Sequence, residues 1–261
     1  MKRISVKRIS VFAILLLGAT FLNAQDAASI VNSSRNRIQS DTISSRSRMV
    51  ITARNGNTSE RVIDQYSKDG PNGGRTVIVF QSPSNVAGTR FLTMDTASGG
   101  TDQWIFLPEL GRVRRIAASE SSGSFMGTDF SYDDISAVDR EASLDNHRLL
   151  REETLNGRAC YVIESTPKDS SFQYSKTISW IEKERYLSYK VELYNRRGEL
   201  VKIMEMSDFR DVQGRLTPMQ TKISTVGAGT FTTIYMEIIR YNDAIPERVF
   251  TTAYLETGRV N

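Results

Sequence analysis

Residues 103–135 read QWIFLPELGRVRRIAASESSGSFMGTDFSYDDI, and this stretch decides which fold the flanking segments build. An unbroken apolar run from Trp104 to Leu107 indicates a strand, closely spaced arginines follow it, and a Ser- and Gly-rich segment comes next. Aromatic and Met side chains on such a segment are rarely left in water. They either close over a core or line a binding site, and composition alone favours core closure. These side chains are Phe125, Met126, Phe130 and Tyr132.

On both sides of this stretch, the apolar residues recur with the period of two that is typical of half-buried antiparallel strands. Upstream, Met49, Ile51 and Ala53 alternate with polar residues, and Asn55-Gly56 then predicts a tight turn. Downstream, turn signals that contain Gly separate further strands of the same kind. The upstream strands are predicted near 48–54, 61–67, 76–81, 90–95 and 103–107, and the downstream turns at 156–157, 197–198, 213–214 and 227–229.

Two short helices are predicted beside these strands. Asp26 is placed to cap a first helix whose apolar side includes Ile30 and, further on, Ile38. The spacing of Ser131 and Asp134 predicts the start of a second helix. A long sheet with one apolar face must cover that face. It does so by curling around its own core, by packing on a helix or by enclosing a ligand.

The N-terminus predicts export across the inner membrane. Four basic residues among the first eight precede an apolar run from Val11 to Leu22, and Ala24 supplies the small residue before a cleavage site. We expect residues 1–24 to be removed and residues 25–261 to form one soluble domain in the periplasm. The alternative is an uncleaved membrane anchor, although the apolar run is too short to span a bilayer comfortably.

Export also changes the charge balance. The chain has 34 Lys plus Arg and 30 Asp plus Glu, and its first 24 residues hold four of the basic residues and no acidic one. The exported chain therefore has 34 − 4 = 30 basic against 30 acidic residues, without the positive excess that nucleic-acid binding needs. Cys160 is the only cysteine, which excludes an intramolecular disulfide, and its apolar surroundings predict a buried strand position.

The stretch at residues 103–135 resembles the signature of the outer-membrane lipoprotein-sorting family, the LolA-like proteins. The resemblance implies a mainly β fold with a few helices, in which an unclosed antiparallel β-barrel, or half-barrel, wraps around helices. It also implies a monomeric carrier of lipid or lipoprotein acyl chains, with an inner-membrane transporter and an outer-membrane acceptor as partners. The residues that carry the resemblance are Trp104, Leu107, Pro108, Arg112, Val113, Arg114, Arg115, Ile116, 123–127 and 129–134.

Two groups of side chains in this stretch are candidate functional residues. Five apolar side chains are expected to form a cavity for acyl chains or its lid, which Gly123 and Gly127 would allow to move. A charge cluster is expected to serve the fold or a partner contact. The apolar group is Trp104, Phe106, Phe125, Met126 and Phe130, and the charged group is Arg112, Arg114 and Arg115 with Asp129, Asp133 and Asp134.

One departure from the family pattern concerns a basic residue just before a Pro in an early strand, which governs cargo hold and release in the better-studied carriers. The comparable place, residues 80–83, reads FQSP and has no Arg or Lys before Pro83. The alternative function is therefore a non-transporting periplasmic sensor or structural module of the same fold, associated with an inner-membrane transporter complex.

Catalysis and metal binding find little support in the sequence. His147 is the only histidine and no Gly-x-Ser-x-Gly elbow is present, so the sequence lacks the nucleophile motif that a Ser/His/Asp hydrolase of this type needs. A zinc site needs three or four His, Cys or acidic ligands, and this chain has one His and one Cys. Asp133-Asp134 lacks the spacing of a calcium-binding loop. We therefore expect no catalytic residue, no metal and no cofactor.

Overall fold

One antiparallel sheet dominates the fold. The computed structural model describes residues 26–70, 73–96, 100–137 and 140–260, so the predicted signal peptide lies outside the described residues. The strands are β1 (Thr42–Thr52), β2 (Thr58–Lys68), β3 (Arg75–Ser82), β4 (Arg90–Asp95), β5 (Thr101–Leu107), β6 (Arg112–Arg115), β7 (Asp145–Leu155), β8 (Arg158–Pro167), β9 (Lys176–Glu182), β10 (Ser188–Tyr194), β11 (Leu200–Val212), β12 (Arg215–Thr225) and β13 (Thr230–Tyr241). The helices are α1 (Ala27–Asn36), α2 (Tyr132–Ser136) and α3 (Thr252–Thr257), with short 3-10 helices at Ala142–Leu144 and Glu247–Phe250.

The strand order explains why the sheet stays open. The order is β6-β5-β4-β3-β2-β1-β13-β12-β11-β10-β9-β8-β7. The chain therefore starts in the middle, runs outward to the β6 edge, crosses to the β7 edge and returns to β13 beside β1. Because β6 and β7 have one neighbour each, the sheet is not closed into a barrel. This arrangement confirms the predicted fold class, an unclosed antiparallel half-barrel with a few helices.

Strand register assigns each side chain to one of two faces, because residues opposite each other on antiparallel strands point to the same side. Met49 on β1 lies opposite Ile234 on β13, Ile234 opposite Thr221 on β12, and Thr221 opposite Met206 on β11. We call this side the inner face. It also carries Phe80, which belongs to the same buried core cluster as Met49. The opposite side is the outer face.

The C-terminal helix covers the outer face of β2 to β6. Phe106 of β5 is buried there with Phe250 and Leu255, and each such side chain contributes roughly 1.5–3 kcal/mol on burial. Arg90 lies over the Phe106 ring and donates its Nε to the Leu255 carbonyl at 2.7 Å. Gly258 ends α3 with φ of 65°, a left-handed conformation that glycine adopts without strain.

Turn chemistry sets several hairpins where the sequence predicts them. Asn156 and Gly157 both have positive φ, 49° and 79°, which matches the twist of the flanking strands. The predicted turns at 197–198, 213–214 and 227–229 also connect consecutive strands and are confirmed. Strand β6 was not predicted, because four residues rich in arginine at a sheet edge show no apolar alternation.

The first helix forms as predicted, but its cap differs. The Asp26 side chain makes no capping hydrogen bond, and its carbonyl instead accepts from the Ser29 hydroxyl at 2.8 Å. Ile30 and Val31 are buried, whereas Ile38 lies beyond the end of the helix. Within the described ranges, no helix combines the length and apolar character that a membrane span requires.

Candidate functional site

After β6, at one edge of the sheet, the polypeptide crosses the inner face toward β7, at the other edge. We call residues 116–137 the crossover segment. Phe125 of this segment is 0% exposed. Its ring centroid lies 5.7 Å from that of Phe80, 5.1 Å from that of Phe91 and 5.4 Å from that of Tyr132. Phe130 is buried in the same cluster. The aromatic side chains of the signature therefore close over a core.

A tight loop presents Phe125 to that core. The Phe125 amide donates to the Phe130 carbonyl at 2.7 Å, and the Thr128 amide donates to the Phe125 carbonyl at 3.0 Å. Between them, Met126 and Gly127 both have positive φ, 52° and 76°. Gly127 takes this conformation easily, whereas Met126 adopts it at a cost that the surrounding contacts offset.

A basic residue reaches this loop from β2. Arg61 donates to the Met126 carbonyl and lies 5.8 Å over the Phe80 ring. Burial lowers the pKa of Arg61, and no carboxylate pairs with it in the described part of the chain. The neighbouring residue Val62 is paired with Ser82, which directly precedes Pro83. Arg61 therefore lies next to the position where the family pattern has a basic residue and this chain has none.

A buried carboxylate holds the crossover segment to β12 and β13. Asp129 accepts hydrogen bonds from the hydroxyls of Thr225 at 2.6 Å, Thr230 at 2.5 Å and Thr232 at 2.7 Å. Its amide in turn donates to the Thr232 hydroxyl at 3.0 Å. Three neutral donors thus satisfy the buried carboxylate without a cation, as burial of a charged group requires.

A second buried carboxylate, on α2, holds the segment to β11. Asp134 accepts from Lys202 at 2.5 Å and from the Tyr174 hydroxyl at 2.7 Å. Its amide and the Ser131 side chain complete the capping box of α2, which confirms the predicted helix start. Burial and the Asp134 carboxylate raise the pKa of Tyr174 far above its usual range, so this phenol stays a hydrogen-bond donor.

The predicted charge cluster does not form. Arg114 pairs with Glu120 at 2.9 Å, and Arg115 pairs with Asp102. Arg112 is exposed on the β6 edge. In the described ranges none of the three pairs with Asp129, Asp133 or Asp134, because those carboxylates turn inward while the arginines lie on an edge strand.

The five predicted apolar residues are also divided. Trp104 and Phe106 lie on the outer face with α3, whereas Phe125 and Phe130 lie in the inner-face core and half-buried Met126 packs against it. The reason is the pleat of β5, which sends alternate side chains to opposite faces. Ile105, between the two aromatic residues, and Leu107 are the β5 side chains that pack in Phe125's cluster. The five therefore do not line one pocket.

The inner face of β11, β12 and β13, beside the crossover segment, is rich in methionine. Met206 lies opposite Thr221, Met204 opposite Ile223, and Met236 opposite Ser47, whose hydroxyl is 3.4 Å from the Met236 sulfur. Met219 points the same way as Thr221, two residues along β12. We call the half-buried side chains of Met204, Met206, Met219 and Met236 the methionine row.

Helix α1 bounds this row on the other side. Ile30 and Val31 pack against Ile163 of β8 and Ile181 of β9, so α1 covers the inner face near the β7 edge. The row thus lies on β11 to β13 between α1 and the crossover segment. This row was not predicted, although Met204 and Met206 alternate with Glu205 in a strand pattern.

A separate cavity of about 1420 Å³ lies beside the β6 edge and reaches the loop at residues 169–172. Its lining is about equally polar and apolar and does not include the methionine row. The carboxylates that line it are Asp95, Asp102, Asp133, Glu141 and Asp169. Burial raises the pKa of Asp133, which the Ser121 hydroxyl contacts at 2.9 Å. The five carboxylates in its lining disfavour the burial of an apolar ligand in this cavity.

His147 has a structural position. Its Nε2 lies 2.9 Å from the Ala142 carbonyl and its Nδ1 2.8 Å from the Ser165 hydroxyl. The carbonyl requires a proton on Nε2, so Nδ1 accepts from Ser165 and the ring holds the 3-10 helix at Ala142 on β8. No group of three or more metal-ligating side chains is found among the residues that the structure describes.

Comparisons with known proteins agree with this architecture. A family model described as "Uncharacterized protein" matches residues 73–257. A DUF1329 family protein from Desulfovibrio piger is 29% identical, covers 88% of this chain and 97% of its own, and superposes with a TM-score of 0.83. An outer membrane lipoprotein-sorting protein domain from Vibrio parahaemolyticus is 27% identical, with coverage of 88% and 98% and a TM-score of 0.82.

A third solved structure shares the fold. A LolA superfamily protein from Nitrosomonas europaea is 21% identical, covers 87% of this chain and 98% of its own, and has a TM-score of 0.71. A search of curated proteins found no match. The 13-stranded open sheet is therefore an architecture that this chain shares with solved structures over most of its described length.

Proposed function

We propose that this chain, which belongs to the LolA-like family, binds lipid or lipoprotein acyl chains on the methionine row and carries them across the periplasm toward the outer membrane. One observation carries the proposal: four half-buried methionines share one face of an open sheet, between two covering elements. Residues 1–24 would deliver the chain to the periplasm. An inner-membrane transporter and an outer-membrane acceptor are the proposed partners.

The chemistry of the row suits an acyl chain that must be both held and released. Burial stabilises a bound chain by about 0.8 kcal/mol per CH₂, so affinity comes from apolar area and needs few polar contacts. Methionine has a flexible, polarizable side chain that adapts to different chain conformations. Such packing holds a chain without the rigid hydrogen bonds that would slow its release.

Two elements that pack on the inner face limit where a bound acyl chain can lie. The crossover segment is fixed by Asp129 and Asp134, and α1 by its packing on β8 and β9. Phe125 fills the core under β3 and β4, which supports a proposed acyl site over β11 to β13.

Titration with a fluorescent acyl probe tests the proposal. Met206→Glu places a charge on the inner face and is expected to lower probe affinity by tenfold or more, since burying an unpaired charge costs several kcal/mol. Ile203→Glu is the matched control, because Ile203 is equally half-buried on the same strand but points to the outer face. Met206→Leu should retain binding. Equal losses in both Glu variants, or no loss in either, would contradict the assignment.

The second candidate function is a non-transporting sensor or structural module of the same fold. The observation that favours it is the sealed position of Phe125 and Phe130, which fills part of the inner face with the chain's own residues. Delipidated protein that folds with a normal melting temperature but takes up no acyl probe would support this candidate over the carrier.

A further inference from the structure

Two arginines meet at one end of the methionine row, where α1 approaches β12. Arg37 follows α1 and donates Nη1 to the Leu216 carbonyl. Arg215 donates Nε to the Gln39 carbonyl at 3.1 Å and Nη1 to the Gln213 carbonyl at 3.1 Å. Each arginine thus reaches the segment that carries the other, and the two guanidinium groups are held in one place.

Both arginines surround a buried phenol. The Arg215 guanidinium carbon lies 5.1 Å over the ring of Tyr241, which is 2% exposed. The Tyr241 hydroxyl forms a 2.7 Å hydrogen bond with Thr217, and both arginines act electrostatically on the phenol. Tyr241 therefore forms the floor of the site, with the guanidinium groups beside it.

The positive charge of this pair is not neutralised. Within the described residues, neither Arg37 nor Arg215 forms an ion pair, and the hydrogen bonds they make go to backbone carbonyls. Arg37 is partly buried, its Nε has no partner, and burial lowers its pKa. Buried charges are ordinarily paired, so the partly buried Arg37, with the more exposed Arg215 beside it, leaves capacity for an anion.

The inner face of β12 connects this pair to the methionine row. Alternate residues from Arg215 to Ile223 point to the same side, and they run from a cation through Thr217 and Met219 to a fully buried isoleucine. At about 3.4 Å per residue, this path is about 27 Å long. A path that is basic at one end and carries Met219 and Ile223 further along matches a molecule with a charged head and an apolar chain.

We propose that the ligand of the methionine row is an anionic amphiphile, a lipid whose phosphate head group binds between Arg37 and Arg215. The proposal rests on the proposed acyl-binding function and adds the chemical class of the ligand. Phosphate is favoured because the planar guanidinium fork matches its oxygens in a bidentate manner.

The test compares two ligands with the same acyl chain, a lysophosphatidic acid and a neutral monoacylglycerol, on the delipidated protein. Wild type should bind the phosphate form about tenfold or more tightly, the order that one charge-assisted hydrogen bond contributes. Arg37→Gln and Arg215→Gln should abolish this preference, measured in each variant as the ratio of the two affinities. Arg215→Lys should restore part of it. Arg197→Gln, which removes an arginine whose side chain is 83% exposed at a distant turn, is the control and should behave as wild type.

The outcomes separate the two proposals. Equal wild-type affinity for both ligands would overturn the head-group inference while leaving acyl binding intact. No affinity for either would overturn the proposed function as well. Millimolar inorganic phosphate that binds as tightly as the lysophospholipid would assign the arginines to free phosphate and overturn the lipid assignment. If Arg37→Gln lowers the melting temperature, the comparison of the two ligands relies on Arg215→Gln, because Arg215 lies on β12 and does not cap α1.

Discussion

Replacement of Phe125 by Ala tests whether the crossover segment is a fixed part of the core. The side chain is 0% exposed and touches the rings of Phe80, Phe91 and Tyr132. Truncation of a buried Phe leaves a cavity and costs about 3–5 kcal/mol. With a denaturant dependence of about 5 kcal/mol per molar guanidinium for a chain of this size, a 4 kcal/mol loss lowers the unfolding midpoint by about 0.8 M.

Guanidinium unfolding followed by tryptophan fluorescence measures this loss. Leu110→Ala is the control, because Leu110 is 53% exposed and its truncation should change the free energy of unfolding by less than about 0.5 kcal/mol. A loss below about 1 kcal/mol in Phe125→Ala would refute the reasoning, since it would mean that the segment is a loosely held lid whose removal from the core costs little.

Three further predictions concern the carboxylates and the N-terminus. Asp134→Ala leaves the half-buried Lys202 without its carboxylate and the Tyr174 hydroxyl without its acceptor, and it should lower the free energy of unfolding by about 3–5 kcal/mol in chemical denaturation; adding Lys202→Met should reverse only the part due to the unpaired ammonium. Burial raises the pKa of Asp133, so its ionisation destabilises the folded state; Asp133→Asn should raise the melting temperature at pH 7, with a difference that disappears below the unfolded-state pKa of about 3.9. An Asp133→Asn variant less stable than wild type at pH 7 would contradict this sign. Intact mass of the protein from its native envelope should begin at Gln25, and a mass that retains residues 1–24 or an acyl group would contradict cleavage after Ala24.

Local sequence signals predicted the hairpins and the start of α2. Asn156-Gly157 forms its turn because both residues tolerate positive φ, and Ser131 caps α2 because its hydroxyl reaches the Asp134 amide. Both depend on neighbours within a few residues. The open-sheet architecture came from the resemblance of a long signature and was confirmed by the strand order.

The division of the signature between two faces could not be predicted in this way. The run from Trp104 to Leu107 is continuously apolar, because the crossover segment covers one face of β5 and α3 covers the other. With no polar alternation, the sequence does not reveal which side chains share a face. The pairing of Asp134 with Lys202 joins residues 68 positions apart, and local spacing does not predict such a contact.

The methionine row was missed for the same reason. Met204 and Met206 show a strand pattern, but Met219 and Met236 belong to other strands and join them only through the sheet register. Adjacency across three strands depends on the lengths of the hairpins that join β11 to β12 and β12 to β13. A search for methionines at alternate positions in neighbouring predicted strands would have found the row.

The central claim is that the methionine row holds an acyl chain, and mass spectrometry of lipid bound to the purified protein tests it most directly. Protein isolated gently from its native envelope, without added lipid, should release acyl-containing molecules on organic extraction. Met206→Glu should release far less, while the outer-face variant Ile203→Glu should match wild type. Wild-type protein that carries no acyl-containing molecule, or a Met206→Glu variant that carries as much as wild type, would contradict the account.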